Sequence, residues 1–313
     1  MATSNKIKIN LTVSSFSFII SHKIYKIEDN MTEDLQSWND LADLENYEEE
    51  NNLILIDGNN LAFRWLNRKN HSDYYDEYIR TIKSLAKSYR ASRIICCYDF
   101  GHSYYRKAIR DNYKANRKKP KEPDEAKKYD EFFNCLNNII DQLEIENYKF
   151  RGVEADDLIA YFVDNLAPKY NHTWIISSDK DLYQIVNENV SIFNMYQRRE
   201  ITEDSILEDS GLSPDETLLA MLIRGDKGDN IEGVEGIGIK RSEALAREYK
   251  DLPSLLLALP IKKKSKYIQN LNKSKNLILE NDKMINLKKH YIQAIKAGKD
   301  GDKNIDILEK AIG

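Results

Sequence analysis

Residues 53–60 read Leu-Ile-Leu-Ile-Asp-Gly-Asn-Asn, four consecutive apolar residues followed by an aspartate. A continuous apolar run of this length is typical of a strand that is buried on both faces. Such strands occur in parallel sheets that helices cover on both sides. The stretch therefore predicts an α/β core in which Asp57 lies at the carboxyl end of a buried strand.

Two later stretches repeat the pattern of a strand followed by an aspartate. Residues 94–98 lead directly into Asp99, and residues 173–176 lead through two serines into Asp179. Apolar residues at helical spacing fill the intervals, over residues 78–89, 130–143 and 155–166. The alternation predicts a mainly parallel central sheet flanked by helices. From residue 203 onward the pattern is helical, and 203–223 is predicted as helix.

Composition and charge exclude some classes of protein. The 313 residues are 41% hydrophobic, but no apolar window is long enough for a membrane span. Three cysteines show neither a disulfide framework nor the spacing of a zinc site, which favours a reducing compartment. The net charge of −4 conceals segregation: residues 28–50 carry ten acids and no Lys or Arg, 106–128 carry ten bases and four acids, and 262–289 carry nine lysines and two acids. The basic blocks are where a phosphate backbone could bind.

Carboxylates from distant parts of the chain are expected to meet at one edge of the sheet. The carboxyl ends of parallel strands line one crevice, so the acids that follow the three strands should converge there. Further acids open helices or lie in a glycine-containing loop: Glu154, Asp156, Asp157, Asp181, Asp226 and Asp229. Singly, acids at helix starts are more often ordinary caps than catalytic groups. Together the nine would repel one another, by roughly 4 kcal/mol for two charges about 4 Å apart at an effective dielectric of about 20.

Such a cluster persists only if protons are shared or divalent cations are bound. Oxygen ligands without histidine or cysteine favour Mg²⁺ or Mn²⁺, and nine acids fit two metal sites better than one. Paired metals suit the hydrolysis of a phosphodiester.

Two segments indicate nucleic-acid binding. Between Arg106 and Lys119 the cations surround a lone aromatic residue, Tyr113, which is the combination that binds single strands. The turn Gly233-Val-Glu-Gly236-Ile-Gly238-Ile-Lys240-Arg241 allows backbone amides to approach a phosphate and leads into a helix that carries two cations. We interpret this turn as a helix-hairpin-helix that grips a DNA duplex.

Six segments in order resemble the 5′-3′ exonuclease/flap endonuclease family, nearest its small stand-alone bacteriophage enzymes. They are Leu53-Ile-Leu-Ile-Asp-Gly-Asn-Asn60, Tyr98-Asp99, Tyr113-Lys-Ala-Asn-Arg117, Arg151-Gly-Val-Glu-Ala-Asp-Asp157, Ser178-Asp-Lys-Asp181, and Gly225-Asp-Lys-Gly-Asp-Asn230 with the glycine turn that follows it. The resemblance runs from about residue 52 to about residue 287. It implies a nuclease core with a helical arch over the active site and a C-terminal helix-hairpin-helix region.

The resemblance also implies roles for single residues. One metal would be served by Asp57, Asp99, Glu154, Asp156 and Asp157, and a second by Asp179, Asp181, Asp226 and Asp229. Lys114 and Arg117 would contact the scissile phosphate as catalytic cations, and Tyr113 would stack on a nearby base. DNA contacts are expected from Arg106, Tyr113, Gly233, Gly236, Gly238, Lys240 and Arg241, with K⁺ at the helix-hairpin-helix.

The implied organisation has three parts. Residues 1–51 would form a partly disordered extension, 52–200 the nuclease core with a basic arch at about 101–128, and 201–313 the helical DNA-binding part. Pro120 and Pro123 leave the helical content of the arch open. The expected enzyme is a monomer in the cytoplasm, that of the host if the protein comes from a phage, with no small-molecule cofactor and no membrane partner. Its expected substrate is DNA with a 5′ flap, 5′ overhang or free 5′ end.

Three alternatives remain at this point. The chain could be a branched-DNA-binding protein without catalysis, although no acid of the set is missing. It could be a ribonuclease with the same carboxylate-lined sheet, although the glycine turn and the long basic segment argue against this. It could also be the exonuclease domain of a polymerase, although no polymerase-sized continuation follows.

Overall fold

The computed structural model describes residues 50–117, 120 and 122–313. Nearly all of the predicted extension, residues 1–49, therefore lies outside the described residues, as do Lys118, Lys119 and Lys121 of the basic segment. None of the described helices is both long enough and apolar enough to cross a membrane.

The described residues form one six-stranded sheet with helices around it. The strands are β1 Glu50–Asp57, β2 Ala91–Tyr98, β3 Asn147–Lys149, β4 His172–Ile176, β5 Val190–Asn194 and β6 Arg199–Ile201. Their order across the sheet is β3-β2-β1-β4-β5-β6. Only the β5–β6 pair is antiparallel, so the predicted mainly parallel sheet is confirmed.

The helices fill the intervals between strands and then make up the C-terminal part. They are α1 Gly58–Ala62, α2 Tyr75–Ser88, α3 Tyr104–Ile109, α4 Pro123–Gln142, α5 Ala155–Asn165, α6 Glu203–Ser210, α7 Pro214–Arg224, α8 Ile239–Tyr249, α9 Leu252–Ala258, α10 Lys266–Lys273, α11 Lys275–Ile285, α12 Leu287–Ala297 and α13 Gly301–Ile312. Two short 3-10 helices, Ala167–Lys169 and Lys180–Ile185, precede and follow β4.

The apolar run of β1 explains the three-layer arrangement. Leu53 and Leu55 point into a core on one face of the sheet, together with α5 and α12. Ile54 and Ile56 point into a core on the other face, against α2 and α4. All four side chains are fully buried. Because both faces are covered, β1 lies at the centre of the fold and its last residue, Asp57, is held rigidly.

Two details of the predicted helices differ in the structure. The helix expected over 203–223 is two helices, because Gly211 ends α6 in the left-handed conformation and Ser213 caps α7. In the basic segment, Pro123 is the first residue of α4, a position where the missing N–H of proline costs no hydrogen bond. The second leg of the arch segment is therefore helical from Pro123 onward.

Candidate active site

Three aspartates meet at the carboxyl edge of the sheet. Asp57 ends β1, Asp99 follows β2, and Asp179 lies three residues beyond the end of β4. These strands are parallel neighbours, which brings their ends to one side. Burial, together with the nearby charges of Asp99 and Asp179, raises the pKa of Asp57 to about 7. The structure thus brings together the three acids that follow the predicted strands.

Backbone and hydroxyl donors fix the orientation of these acids. Asp57 accepts hydrogen bonds from the Asn60 amide at 3.0 Å and from Ser177 Oγ at 2.9 Å. Asp99 accepts from the amide of Ala155 at 2.7 Å, at the start of α5. The bond between Asp57 and the Asn60 amide is the N-cap contact of α1, and the other two bonds join distant segments of the chain. The three bonds position the carboxylates and supply no cation to balance their charge.

Asp156 completes a group that we call the strand-end cluster, defined as Asp57, Asp99, Asp156 and Asp179. Asp156 lies in the first turn of α5. Burial, and then the charges of the other three members, raises its pKa well above the ordinary value. Like charges in one pocket stay ionised only beside a compensating cation. The donor set of the strand-end cluster therefore fits a hard divalent ion.

A second group, the loop cluster, consists of Asp181, Asp226 and Asp229. One carboxylate oxygen from each lies within 4.8 Å of the others, close enough for all three to ligate one ion. Burial and the neighbouring aspartates raise the pKa of Asp181 to about 8. Asp226 is held by the amide of Gly228, which donates to Oδ1 at 2.7 Å. The all-oxygen chemistry of this group also fits Mg²⁺ or Mn²⁺.

Two cations balance the charge of Glu154, as cations do in part for Asp229 of the loop cluster. Lys114 Nζ lies 2.7 Å from one carboxylate oxygen, and Arg106 Nη1 lies 3.2 Å from the other. Burial opposes the charge, but these cations outweigh it and lower the pKa of Glu154 to about 2. Glu154 is therefore part of an ion network with Lys114 and Arg106 at the site.

Asp157 requires a correction to the predicted metal ligands. Its two carboxylate oxygens accept from the Arg106 guanidinium at 2.7 and 2.9 Å, and its side chain is fully buried. Bidentate pairing of this kind occupies both oxygens. The structure therefore pairs Asp157 with Arg106, although burial still raises the pKa of this carboxyl above its ordinary value.

The predicted DNA contact of Arg106 is also corrected. The residue is only 5% exposed, and its Nε donates to the carbonyl of Met284 at 2.8 Å. Two buried carboxylates need a counter-charge, and removing it would leave them uncompensated. Arg106 is thus an internal cation that connects α3 to the start of α5 and to α11.

Tyr113 does not present its ring to solvent, contrary to the predicted stacking on a base. The residue is 2% exposed and packs in the core of the C-terminal helices. Its hydroxyl lies 2.9 Å from a carboxylate oxygen of Glu154 and 3.0 Å from one of Asp229, and it donates its single proton to one of them. The prediction was based on a lone aromatic residue among cations. In the structure, the Tyr113 side chain instead lies between two acids of the site.

Lys114 and Arg117, the cations predicted to contact the scissile phosphate, lie beside acids of the site. Lys114 Nζ is 3.6 Å from Asp229 as well as 2.7 Å from Glu154. Arg117 Nη2 is 2.6 Å from Asp229 Oδ1, and its side chain is 57% exposed. The backbone of Lys114 has φ of +55°, which is uncommon for a residue with a side chain and is typical of functional sites.

The glycine turn between α7 and α8, which is predicted as part of a helix-hairpin-helix, brings two segments of backbone close together. A Cβ on Gly233 would lie 1.9 Å from the carbonyl oxygen of Arg224, so the close approach of these chains requires glycine. Gly236 has φ of +79° and Gly238 caps α8. Lys240 and Arg241 follow in the first turn of α8 and are exposed.

Three polar residues that brace the strand ends were not predicted as functional. Asn59 Oδ1 accepts from the amide of Asp99 at 3.0 Å, and Asn60 Oδ1 accepts from the amide of Ser178 at 3.1 Å. Ser177 donates to Asp57. These contacts join the ends of β1, β2 and β4. The sequence signal was present in the pair of asparagines directly after Asp57.

Comparison with known proteins identifies the family. A model of the 5′-3′ exonuclease N-terminal resolvase-like domain matches residues 52–211, about half of the chain. The chain belongs to the 5′-3′ exonuclease family. Among its relatives in this family, the flap endonuclease of Escherichia phage T5 is 37% identical over 270 residues, which are 84% of this chain and 93% of the relative.

Solved structures of the phage T5 protein show the same architecture as this family member. One, co-crystallised with metal ions, matches with a TM-score of 0.77 at 35% identity and covers 83% of this chain and 98% of its own. Another, a complex with DNA and metal ions, also has a TM-score of 0.77, at 36% identity, and covers 82% and 98%. The predicted fold class and family are confirmed.

The balance of charge predicts a pH dependence of stability. Asp57 and Asp181 have raised pKa values in the fold, so the folded protein binds more protons than the unfolded chain between about pH 4 and 8. Without divalent ions, their contribution to stability should fall as pH rises through this window. Mg²⁺ should therefore raise the melting temperature more at pH 8 than at pH 5.

Thermal melts of wild type and Asp181→Asn, in chelator and in Mg²⁺, check this prediction. Burial lowers the pKa of His102 and His172, which favours stability at higher pH, but this effect is common to both proteins and cancels in the comparison. We expect the metal-free wild type to lose stability relative to Asp181→Asn from pH 5 to pH 8. An equal pH profile for the two proteins would contradict the charge balance.

Proposed function

We propose that the protein is a divalent-metal-dependent 5′ nuclease that hydrolyses DNA near a 5′ flap or a free 5′ end, acting as flap endonuclease and 5′-3′ exonuclease. The observation that carries this proposal is the pair of acid clusters at the carboxyl edge of the sheet, in which burial and neighbouring acids raise the pKa values of Asp57 and Asp181, with Lys114 and Arg117 beside Asp229. The named activities of the relatives, flap endonuclease and 5′-3′ exonuclease, support the same reaction.

Two divalent ions, Mg²⁺ or Mn²⁺, are proposed for the site. The strand-end cluster would hold one and the loop cluster the other. Bound ions of this kind would activate water and stabilise the oxygen that leaves phosphorus. The contribution of the protein is to fix the orientation of the carboxylates through hydrogen bonds from backbone amides and from Ser177.

Lys114 and Arg117 are proposed as the cations that contact the scissile phosphate. In the fold both lie against Asp229, and Lys114 also lies against Glu154. A phosphate that carries developing negative charge would be stabilised by the same donors. The left-handed backbone conformation of Lys114 sets the direction in which its side chain leaves the main chain.

The helix-hairpin-helix is proposed as the grip on the DNA duplex. Next to the turn, Arg241 lies over the ring of Tyr267 at 4.7 Å, and Asn270 donates to the carbonyl of Glu235 at 3.0 Å. These contacts attach the start of α10 to the turn, so the lysine-rich segment 262–266 extends the basic surface. Backbone carbonyls of the turn from Gly233 to Gly238 would hold the K⁺ ion that is part of this proposal. Residues 201–313 would thus serve as the duplex-binding part of a monomer.

The first test is cleavage of a labelled 5′-flap duplex with and without Mg²⁺. We expect cleavage in Mg²⁺ and none in chelator. Asp226→Asn should lower turnover by at least about 100-fold and leave duplex binding intact, because a positioned electrostatic group is worth about that much in the transition state. Asp302→Asn, at an exposed position on α13, is the matched control and should cut normally.

The outcomes of this test separate the alternatives. Binding of flapped DNA without cleavage by the wild type would favour the non-catalytic binding protein. Preferential cleavage of the RNA version of the flap would favour the ribonuclease. Normal turnover by Asp226→Asn would remove the loop cluster from the mechanism.

A second prediction concerns Lys114. Lys114→Ala should reduce turnover by about 100- to 1000-fold, since it removes one cation from the phosphate. Lys127→Ala, on α4 with a side chain 76% exposed, is the control for loss of a lysine near the arch. Single-turnover rates check the prediction, and melting temperatures verify that the variants are folded. An unchanged rate for Lys114→Ala would exclude a catalytic role.

A third prediction concerns the duplex grip. Replacing both Lys240 and Arg241 by glutamine should make binding of nicked duplex less dependent on salt, because each lost phosphate contact lowers the log–log slope by about 0.9. Titrations from low to high salt measure this slope. Replacing Lys303 and Lys310 on α13 by glutamine removes the same charge. This control should leave the salt dependence of binding unchanged. An unaltered slope in the first variant would place the duplex elsewhere.

A further inference from the structure

Two large aromatic side chains are exposed at the rim of the site. Phe100 follows Asp99 of the strand-end cluster directly, and Tyr104 begins α3. Each is 44% exposed. We call this pair the rim aromatics. Neither was predicted as functional, and the proposed chemistry uses neither.

The backbone around the rim aromatics is rigidly fixed. Gly152 donates to the carbonyl of Phe100 at 2.8 Å and accepts from the amide of Tyr104 at 2.9 Å. A Cβ on Gly152 would lie 2.5 Å from the Tyr104 ring, and its φ is +81°. The exposed rings are therefore positioned by the turn that precedes Glu154, which itself belongs to the site.

Two cations lie next to Phe100. Lys149 Nζ is 5.0 Å from the centre of the ring, and Arg151 Cζ is 6.0 Å from it. Arg151 is exposed, and Lys149 is half-buried and donates to Asn137 at 2.7 Å. Aromatic rings that stack on bases beside cations that contact phosphates form the usual surface for single-stranded nucleic acid. The rim aromatics and these cations make such a surface beside an acid of the site.

The order of the strands indicates which part of a substrate would reach this surface. The loop cluster lies on the β4 side of Asp57, because Asp181 follows β4. The glycine turn follows α7, which contacts the 3-10 helix Lys180–Ile185 after β4. Phe100 lies on the opposite side, at the ends of β2 and β3. If the glycine turn holds the duplex on the β4 side, the cleaved strand runs across the acids toward Phe100. The part of that strand that reaches Phe100 is then the unpaired 5′ flap.

We propose that the rim aromatics bind an unpaired nucleotide of the 5′ flap next to the cleaved bond, with its base on Phe100 and its phosphate near Arg151. This inference rests on the proposed function and adds a binding site for the single-stranded part of the substrate. It makes Phe100 a determinant of preference for flapped over nicked DNA.

The test uses flapped duplexes with 2-aminopurine at the flap nucleotide next to the junction, bound in chelator so that nothing is cut. We expect wild type to quench the fluorescence on binding. Phe100→Leu should lose the quenching and bind flapped DNA about tenfold more weakly, the loss expected for one stacked base. Phe100→Trp should retain both. All three should bind nicked duplex without a flap equally.

Ile307→Ala is the control for loss of an exposed apolar side chain. Ile307 lies on α13, whose last turn accepts from Arg93 at the opposite end of β2. The Ile307→Ala variant should quench the 2-aminopurine fluorescence and bind flapped DNA like wild type. The inference would be overturned if a folded Phe100→Leu variant quenched the fluorescence and bound flapped DNA like wild type. It would also be overturned if this variant lost as much affinity for nicked duplex as for flapped DNA. Failure of the proposed function would look different, since the wild type would then not cut flapped DNA in Mg²⁺.

Discussion

Repulsion between carboxylates is the constraint on which the site depends. The parallel sheet brings Asp57, Asp99 and Asp179 to one edge, and the loop after α7 adds Asp226 and Asp229. The fold balances part of this charge internally, through Arg106, Lys114 and Arg117. The remainder is left uncompensated, and the raised pKa values of Asp57 and Asp181 express that imbalance. A pocket with this excess of carboxylates is suited to binding divalent cations. Bound divalent cations are what the hydrolysis of a phosphodiester requires.

Much of the fold and part of the site could be predicted from the sequence because the signals are local. An apolar run followed by an aspartate fixes both a buried strand and the position of its acid, and this holds for β1, β2 and β4. Gly233 is predictable for a similar reason, since the turn brings two backbones together where only glycine fits. The sheet edge then collects the acids, because parallel strands end on one side.

The roles of Arg106, Tyr113 and Asp157 could not be predicted because they depend on pairing across the fold. All three lie in motifs with the right residue types, but the partners of Arg106 are about 50 residues away in sequence. A basic run looks the same whether its cations face solvent or buried acids. Burial decides between these roles, and here it makes Arg106 an internal counter-ion and Tyr113 a bridge between Glu154 and Asp229. The exposed aromatic surface of the rim lies at Phe100 instead, outside the basic run.

The most direct test of the account is to locate the metal ions. Crystals of the wild-type protein soaked in Mn²⁺ should show two anomalous-difference peaks, one among the carboxylates of the strand-end cluster and one among those of the loop cluster. Glu154 should remain paired with Lys114, and Asp157 with Arg106. A map with no peak at either cluster, or with manganese bound by Asp157 in place of Arg106, would contradict the claim that uncompensated charge defines the site.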